Sequence, residues 1–115
     1  MATNTFKLKT DTAIGTTLTT VYTVPTSPAT TTVIIGAVLS NITAGQVKAN
    51  VKIVTAATSG ENGDDVFLIK LLPIPTSSSF ELMEGKVVME AGDMFKVESD
   101  TASSLDVAVS VMEQT

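Results

Sequence analysis

Two stretches of the chain alternate between apolar residues and polar or small ones. Near the C-terminus, Leu105, Val107, Val109 and Val111 occupy every second position. Residues 47–53 repeat the pattern, with Val, Ala, Val and Ile separated by Lys, Asn and Lys. Because successive side chains of a β-strand point to opposite faces, this period of two predicts two half-buried strands.

Other segments predict further strands with less regular patterns. Residues 18–24 form a run rich in Thr and Val that stops at Pro25. Residues 33–39 are almost continuously apolar but contain Gly36, which predicts either a central strand or a strand with a bulge. Shorter strands are predicted at residues 6–9, 80–83, 86–89 and 94–99. Proline, glycine and aspartate residues separate these segments and favour turns.

Many short strands with no helical periodicity indicate an all-β protein. We therefore expect an antiparallel β-sandwich, jelly-roll or Ig-like, of about eight short strands. Residues 18–115 would form the sandwich domain. Residues 1–17 have few apolar anchors (Phe6, Leu8 and Ile14) and predict an N-terminal arm or an edge strand.

Composition narrows the class of protein. Charged residues make up 17% of the chain and hydrophobic residues 43%, a balance that does not fit a disordered protein. The N-terminal 20 residues lack the apolar stretch of a signal peptide, and the apolar run at 33–39 is too short for a membrane helix. We expect a protein that does not bind membranes and is assembled in a cytoplasm.

Four residue types that commonly carry chemistry are absent: His, Cys, Trp and Arg. Without His or Cys, the chain has no histidine-activated nucleophile, no imidazole or thiolate metal site and no disulfide. A net charge of −5 without arginine argues against nucleic-acid binding. The sequence predicts that the protein is not an enzyme and carries no cofactor.

Three short motifs have both a chemical and a structural interpretation. The loop at 60–65 contains oxygen donors that suit a cation, but its spacing is also typical of a solvated hairpin tip. Glu90 and Asp93 resemble a carboxylate pair, yet Asp93 after Gly92 is more simply a turn residue that bonds the local backbone. Asn41 begins a glycosylation pattern that has no consequence in a chain without a secretory signal.

An excess of apolar residues at 66–74 is more informative. Phe67, Ile69 and Leu71 predict an inward face, but the opposite face is apolar too, and Ile74 is expected to lie exposed between two prolines. Either a loop buries both faces of this strand, or the extra apolar face is a self-association surface. The second interpretation predicts interface residues Leu68, Leu72 and Ile74. The N-terminal arm adds Phe6 and Leu8, because an extended segment can pair with the edge of another sheet.

Several segments between residues 18 and 113 follow one another in a distinctive order. They are Val21-Tyr22-Thr23-Val24-Pro25, Val33-Ile34-Ile35-Gly36 with Asn41, Leu71-Leu72-Pro73-Ile74-Pro75, Phe80-Glu81-Leu82, residues 85–93 and residues 106–113. Each segment is ordinary for a β-sandwich, but their order resembles that of small virion proteins of tailed bacteriophages.

This resemblance implies a structural protein of the virion. The leading hypothesis is a capsid decoration (cement) protein, most simply a homotrimer, that binds the major capsid protein on the outer face of the head and bridges its subunits. The alternatives are a neck, tail or fibre protein that binds other virion proteins, and a receptor-binding or carbohydrate-binding module. The last alternative ranks lower because sugar-binding sites usually present aromatic rings, and the chain has one tyrosine and no tryptophan.

Overall fold

A computed structural model describes residues 3–56, 65–82 and 87–115. These residues form nine strands and no helix, so none of them lies in a helix that could cross a membrane. The strands are β1 (Asn4–Ile14), β2 (Thr19–Thr23), β3 (Thr31–Asn41), β4 (Val47–Val54), β5 (Val66–Ile74), β6 (Ser79–Glu81), β7 (Val87–Met89), β8 (Met94–Ser99) and β9 (Leu105–Gln114). The predicted all-β sandwich is confirmed.

The strands form two antiparallel sheets. Sheet 1 has the order β1-β9-β3, and β6 and β7 then pair with opposite halves of β3. Sheet 2 has the order β2-β8-β4-β5. From β1 to β4 the chain crosses between the sheets at every connection, and β4 and β5 then form a hairpin within sheet 2. The chain next returns to sheet 1 for β6 and β7, to sheet 2 for β8 and to sheet 1 for β9. This is the jelly-roll connection, with β6 and β7 sharing one strand position.

The core lies between the two sheets and uses the side chains that the period of two predicts. Every second residue of β4, from Val47 to Ile53, is buried, and so is every second residue of β9, from Leu105 to Val111. Phe95 and Met89 fill the centre and are fully buried. Burial of apolar area is the main favourable contribution to folding, so the alternation determines which face of each sheet is buried.

Strand β3 is both central and bulged, so the two interpretations of residues 33–39 hold together. It lies between β9 and the β6/β7 position, and its register against β9 shifts between Ile34 and Gly36. Ile35 is the extra residue of this bulge and is 42% exposed. A bulge adds one residue to one strand of a pair. Ile34 and Ala37 can therefore both be buried although three positions separate them.

The prediction for the inward face of β5 was wrong. Phe67 and Leu71 are exposed, whereas Leu68 and Leu72 pack against the core. The register between β4 and β5 shifts twice, and Leu71 adopts a left-handed φ of 56°. Each extra residue moves the following side chains to the other face of the sheet, so simple alternation cannot be continued along β5.

Ile74 is also corrected. It was expected to be exposed because prolines flank it, but it is 1% exposed and belongs to the core. It pairs with Val47, the first buried residue of β4, and its carbonyl oxygen accepts a hydrogen bond of 2.8 Å from the Asn41 side-chain amide. Pairing to β4, rather than the flanking prolines, decides where this side chain points.

The N-terminal segment is the edge strand β1 of sheet 1. It pairs with β9 in a regular register from Asn4 to Asp11, after which the register shifts before Ile14. Its odd-numbered residues share the inner face with the buried side chains of β9, and Phe6 and Leu8 lie on the outer face. The edge of the core next to β1 is therefore lined by lysines.

Candidate functional site: an apolar outer face on sheet 1

A row of apolar side chains crosses the outer face of sheet 1. The register aligns Phe6 of β1 with Met112 of β9, Met112 with Val33 of β3, and Val33 with Val88 of β7. Phe6 is 73% exposed and Val88 is 62% exposed, while Met112 and Val33 are half-buried. These four residues, which we call the apolar row, point away from the core and are not needed to fill it.

Leu8 and Ile35 extend the apolar row on one side. Leu8 lies opposite Ser110, which lies opposite Gly36. A Cβ at Gly36 would come within 3.0 Å of a Glu81 side-chain oxygen, so the small residue leaves room for that carboxylate on the outer face. The Glu81 carboxylate next to Gly36 therefore marks the boundary of the apolar surface.

The other end of this face is polar. The Thr12 hydroxyl donates a hydrogen bond of 2.6 Å to Asp106, and the Ala13 backbone N–H donates one of 3.3 Å to the same oxygen. Thr10, Ser40 and Asp106 line a shallow hollow here. The outer face of sheet 1 is therefore divided into an apolar end, near the chain termini, and a hydroxyl-rich and acidic end.

The residues predicted to form an interface are not brought together. Phe6 and Leu8 lie on the apolar end of sheet 1 and are exposed, whereas Leu68 and Leu72 belong to sheet 2 and are half-buried against the core. Ile74, being buried, cannot contact a partner in the folded protein. The interface role of the other four residues stays a prediction, but they do not form one surface.

The exposed side of β5 is a smaller apolar patch with cations over it. The Nζ atoms of Lys70 and Lys52 lie 4.1 Å and 5.1 Å from the centre of the Phe67 ring. Cations over an aromatic face are attracted by its negative charge density. The Phe67 ring is thus already close to two cations of its own chain.

A buried polar network joins β1 and β9 of sheet 1 to β2 of sheet 2. The Tyr22 hydroxyl donates a hydrogen bond of 2.5 Å to Glu113 Oε2, and the Thr32 hydroxyl lies 2.7 Å from the Tyr22 oxygen. Because Tyr22 has one proton and donates it to Glu113, Thr32 is the donor of the second bond. Glu113 Oε1 lies 2.9 Å from Lys7 Nζ, and Lys9 Nζ lies 5.9 Å from the centre of the Tyr22 ring.

Both acidic groups of this network have shifted pKa values. Burial, together with the hydrogen bond to Glu113, raises the pKa of Tyr22 to about 12. Burial alone would raise the pKa of Glu113, but hydrogen bonds from Tyr22 and Lys7 outweigh it and lower that pKa below its ordinary value. The network therefore contains an ionised carboxylate and a neutral phenol at neutral pH, an arrangement that attaches the edge strand rather than one that activates a nucleophile.

Asp93 and Asn41 have structural roles in the described part of the chain. Asp93 accepts hydrogen bonds of 2.9 Å from the backbone N–H groups of Glu90 and Ala56, so it ties a turn to β4. The Asn41 amide nitrogen is buried and donates to the carbonyl oxygens of Gly45 and Ile74, which leaves it inaccessible for glycosylation. These residues stabilise turns.

The predicted cation loop at 60–65 lies outside the described residues except for Asp65. That carboxylate accepts a hydrogen bond of 3.0 Å from the Thr55 backbone N–H. Across residues 3–56, 65–82 and 87–115, no three His, Cys, Asp or Glu side chains are grouped so that they could hold a metal.

Sequence reasoning missed Met112, Val33 and Val88. Met112 lies on the same face of β9 as Asp106, Ala108 and Ser110. These polar and small residues predicted a solvent-exposed face rather than a binding surface. Val33 belongs to a run that is apolar on both faces, and that excess was the available signal. These residues are aligned only by the pairing registers of β1, β9, β3 and β7, which cannot be predicted from the local sequence pattern.

Comparisons with known proteins agree with the fold and do not extend to a family. No family model and no curated protein matches the chain. A solved chain from the study "Bacillus endospore appendages form a novel family of disulfide-linked pili" matches with a TM-score of 0.52. The two share 15% sequence identity, and the match covers 98% of this chain and 86% of the other. At that identity the likeness concerns the β-sandwich fold alone.

Proposed function

We propose that this chain is a structural protein of a bacteriophage virion that works by binding other virion proteins through the apolar end of sheet 1. In its most specific form, it is a capsid decoration protein that binds the major capsid protein on the outside of the head. The observation that carries the proposal is the exposed apolar row from Phe6 to Val88.

The apolar row supports a binding role because its two exposed ends, Phe6 and Val88, contribute little to folding. Its two outer members lie at opposite edges of sheet 1 and are largely exposed, so their apolar area stays in contact with water in the isolated chain. Burying apolar area is worth about 25 cal/mol per Å², and contiguous patches on a small protein are typical of interaction sites. A partner surface that covers the row would recover this free energy.

Charge supports the outer surface of the head rather than its interior. The chain carries a net charge of −5 and has no arginine. Packaged DNA would repel such a protein, whereas an outward position carries no such cost. No residue in the apolar row is charged, so binding there does not require a charged group to lose its water.

A second candidate is a filament subunit, which the fold likeness to the Bacillus appendage chain favours. That study describes the appendages as disulfide-linked pili. The present 115 residues contain no cysteine, so disulfides between these residues could not link a filament of this chain.

The test combines a particle count with a pair of matched variants. Purified virions from the source of this gene are analysed by quantitative mass spectrometry, with the native chain, Val88→Asp or Leu71→Asp supplied in trans. Val88 and Leu71 are 62% and 55% exposed but lie on different sheets. We expect the native chain and Leu71→Asp at a copy number comparable with the major capsid protein, and Val88→Asp at a strongly reduced one.

Other outcomes separate the alternatives. A copy number far below that of the capsid protein would favour the neck or tail. Filaments on the cell surface that contain the chain, with none in virions, would favour the second candidate. Equal incorporation of both variants would contradict a role for the apolar row.

A further inference from the structure

Strand β1 lies at the edge of sheet 1, and among the described residues no strand pairs with its outer side. Thr3 and Thr115 exchange two backbone hydrogen bonds, of 2.9 Å and 3.0 Å, so they form a hydrogen-bonded pair of the β1–β9 ladder. Such pairs alternate along an antiparallel ladder, so Thr5, Lys7 and Lys9 also bond to β9. The N–H and C=O groups of Asn4, Phe6 and Leu8 therefore point away from β9.

The other sheet edges are less suited to pairing within the part of the chain that the structure describes. Strand β5 has two register irregularities and contains Pro73, which lacks an N–H group. Strand β2 has five residues and one irregularity, and β6 and β7 have three residues each. Bulges, prolines and short strands are the features that keep sheet edges from pairing, and β1 is regular from Asn4 to Asp11.

We propose that β1 pairs antiparallel with β1 of a second copy of this chain, with Phe6 opposite Phe6 across a two-fold axis. The two copies of sheet 1 then form one continuous sheet. The proposal does not depend on the proposed function, because it concerns a backbone edge of the purified chain and not the covering of the apolar row by another protein.

The positions of the lysines select this register. Because Phe6 and Leu8 direct their backbone groups outward, a paired strand must bring even-numbered residues opposite one another. Pairing centred on Lys7 or on Lys9 places a lysine opposite its own copy, and pairing centred on Leu8 places Lys7 opposite Lys9. Like charges directly opposite each other destabilise a sheet.

Centring the contact on Phe6 avoids these repulsions. Lys7 then lies opposite Thr5 of the second copy, and Lys9 lies opposite Thr3. Pairing centred on Thr10 would place Lys9 opposite Asp11, but it would run into the register shift after Asp11, where Ala13 has a φ of 55°. The Phe6 register is thus the longest regular one without opposed lysines.

A second copy also suits this edge through its side chains. Phe6 is 73% exposed, and an aromatic pair across two strands stabilises a sheet. The pairing joins the two apolar rows end to end, so that one row runs from Val88 of one copy to Val88 of the other.

The contact buries a small area, since a single strand pair is smaller than the interface of a stable dimer. We therefore expect an equilibrium between one and two chains that depends on protein concentration. An isologous contact of this kind closes as a two-fold dimer, which differs from the trimer that the resemblance suggests.

Single cysteines test the contact because the chain has none of its own. Purified Phe6→Cys and Leu8→Cys proteins are oxidised mildly, and disulfide-linked dimers are measured by intact mass. Paired residues that exchange hydrogen bonds have Cα atoms about 5.5 Å apart, which a disulfide can span. Leu8, on the same strand and face and 63% exposed, lies opposite Asn4 in the proposed register and is the matched control.

We expect Phe6→Cys to cross-link at least tenfold faster than Leu8→Cys. Sedimentation of the cysteine-free protein should show the average mass rising toward two chains with concentration, and Phe6→Lys should suppress the rise. Equal rates for the two cysteines, faster cross-linking of Leu8→Cys, or a constant mass of one chain would overturn the proposal. None of these outcomes bears on whether the chain is found in virions.

Discussion

Lys7 Nζ lies 2.9 Å from Glu113 Oε1 and joins the edge strand to its neighbour from the inner side of sheet 1. Glu113 is almost fully buried, whereas Lys7 is partly exposed. Tyr22 donates to the other oxygen of the same carboxylate. One buried carboxylate thus holds β1, β2 and β9 together at the edge where the apolar row begins.

Replacing Glu113 by alanine should therefore destabilise the protein by about 1–3 kcal/mol, because it removes the charged acceptor of the buried Tyr22 hydroxyl and the ion-pair partner of Lys7. Urea unfolding followed by circular dichroism measures the change. Glu90→Ala is the control, since its side chain is exposed, and it should alter the free energy of unfolding by less than about 0.5 kcal/mol. Equal effects of the two variants would contradict the role given to Glu113.

The lowered pKa of Glu113 predicts a loss of stability in acid. Folded Glu113 binds fewer protons than an unfolded glutamate, whose pKa is about 4.3, so its contribution is fully present above that value. The contribution is lost as pH falls through the lower pKa of the folded protein. Unfolding free energies measured from about pH 6 to about pH 3 should fall less steeply in Glu113→Gln than in the native chain. Identical slopes would assign the acid sensitivity to other groups.

Tyr22 offers a direct spectroscopic readout, because it is the single tyrosine of a chain without tryptophan. Absorbance of the tyrosinate should report a pKa of about 12 in the folded protein, and a value near 10 in denaturant (about 10 for an unperturbed tyrosine). Because the raised pKa opposes ionisation in the fold, stability should fall as pH rises above the unfolded value. In Glu113→Ala, the folded midpoint should move down. A folded midpoint equal to the denatured one would contradict the buried network.

The corrected face of β5 can be tested by two truncations. Ile74→Ala removes a core side chain and should cost about 2–5 kcal/mol of unfolding free energy. Leu71→Ala removes an exposed one and should cost less than about 1 kcal/mol. Thermal or urea unfolding distinguishes the two variants. A larger loss of unfolding free energy in Leu71→Ala than in Ile74→Ala would contradict the corrected face and support the simple alternation.

The incorrect prediction for the buried face of β5 shows which parts of the fold can be predicted from the sequence. In β4 and β9 the alternation is unbroken, and the buried face follows directly from it. In β5, Asn50 accepts a hydrogen bond of 2.7 Å from the Leu71 N–H group, and the strand is irregular around that residue. Nothing in the local pattern marks the bulge, because apolar residues occupy both faces.

The candidate site depends even more on long-range pairing. The sequence predicts Phe6 and Leu8 to be interface residues within an N-terminal arm or edge strand. Val33 and Val88 could not be joined to Phe6, since they meet only through the registers of β9 and β7 with β3. The class of fold therefore follows from local pattern, whereas the surface that the fold builds does not.

A density map of the assembled particle tests the central claim most directly. We expect a neighbouring protein to cover the outer face of sheet 1, with contacts to Phe6, Val33, Val88 and Met112, while the exposed side of β5 faces solvent. A map in which the apolar row faces solvent and sheet 2 makes the contacts would contradict the account.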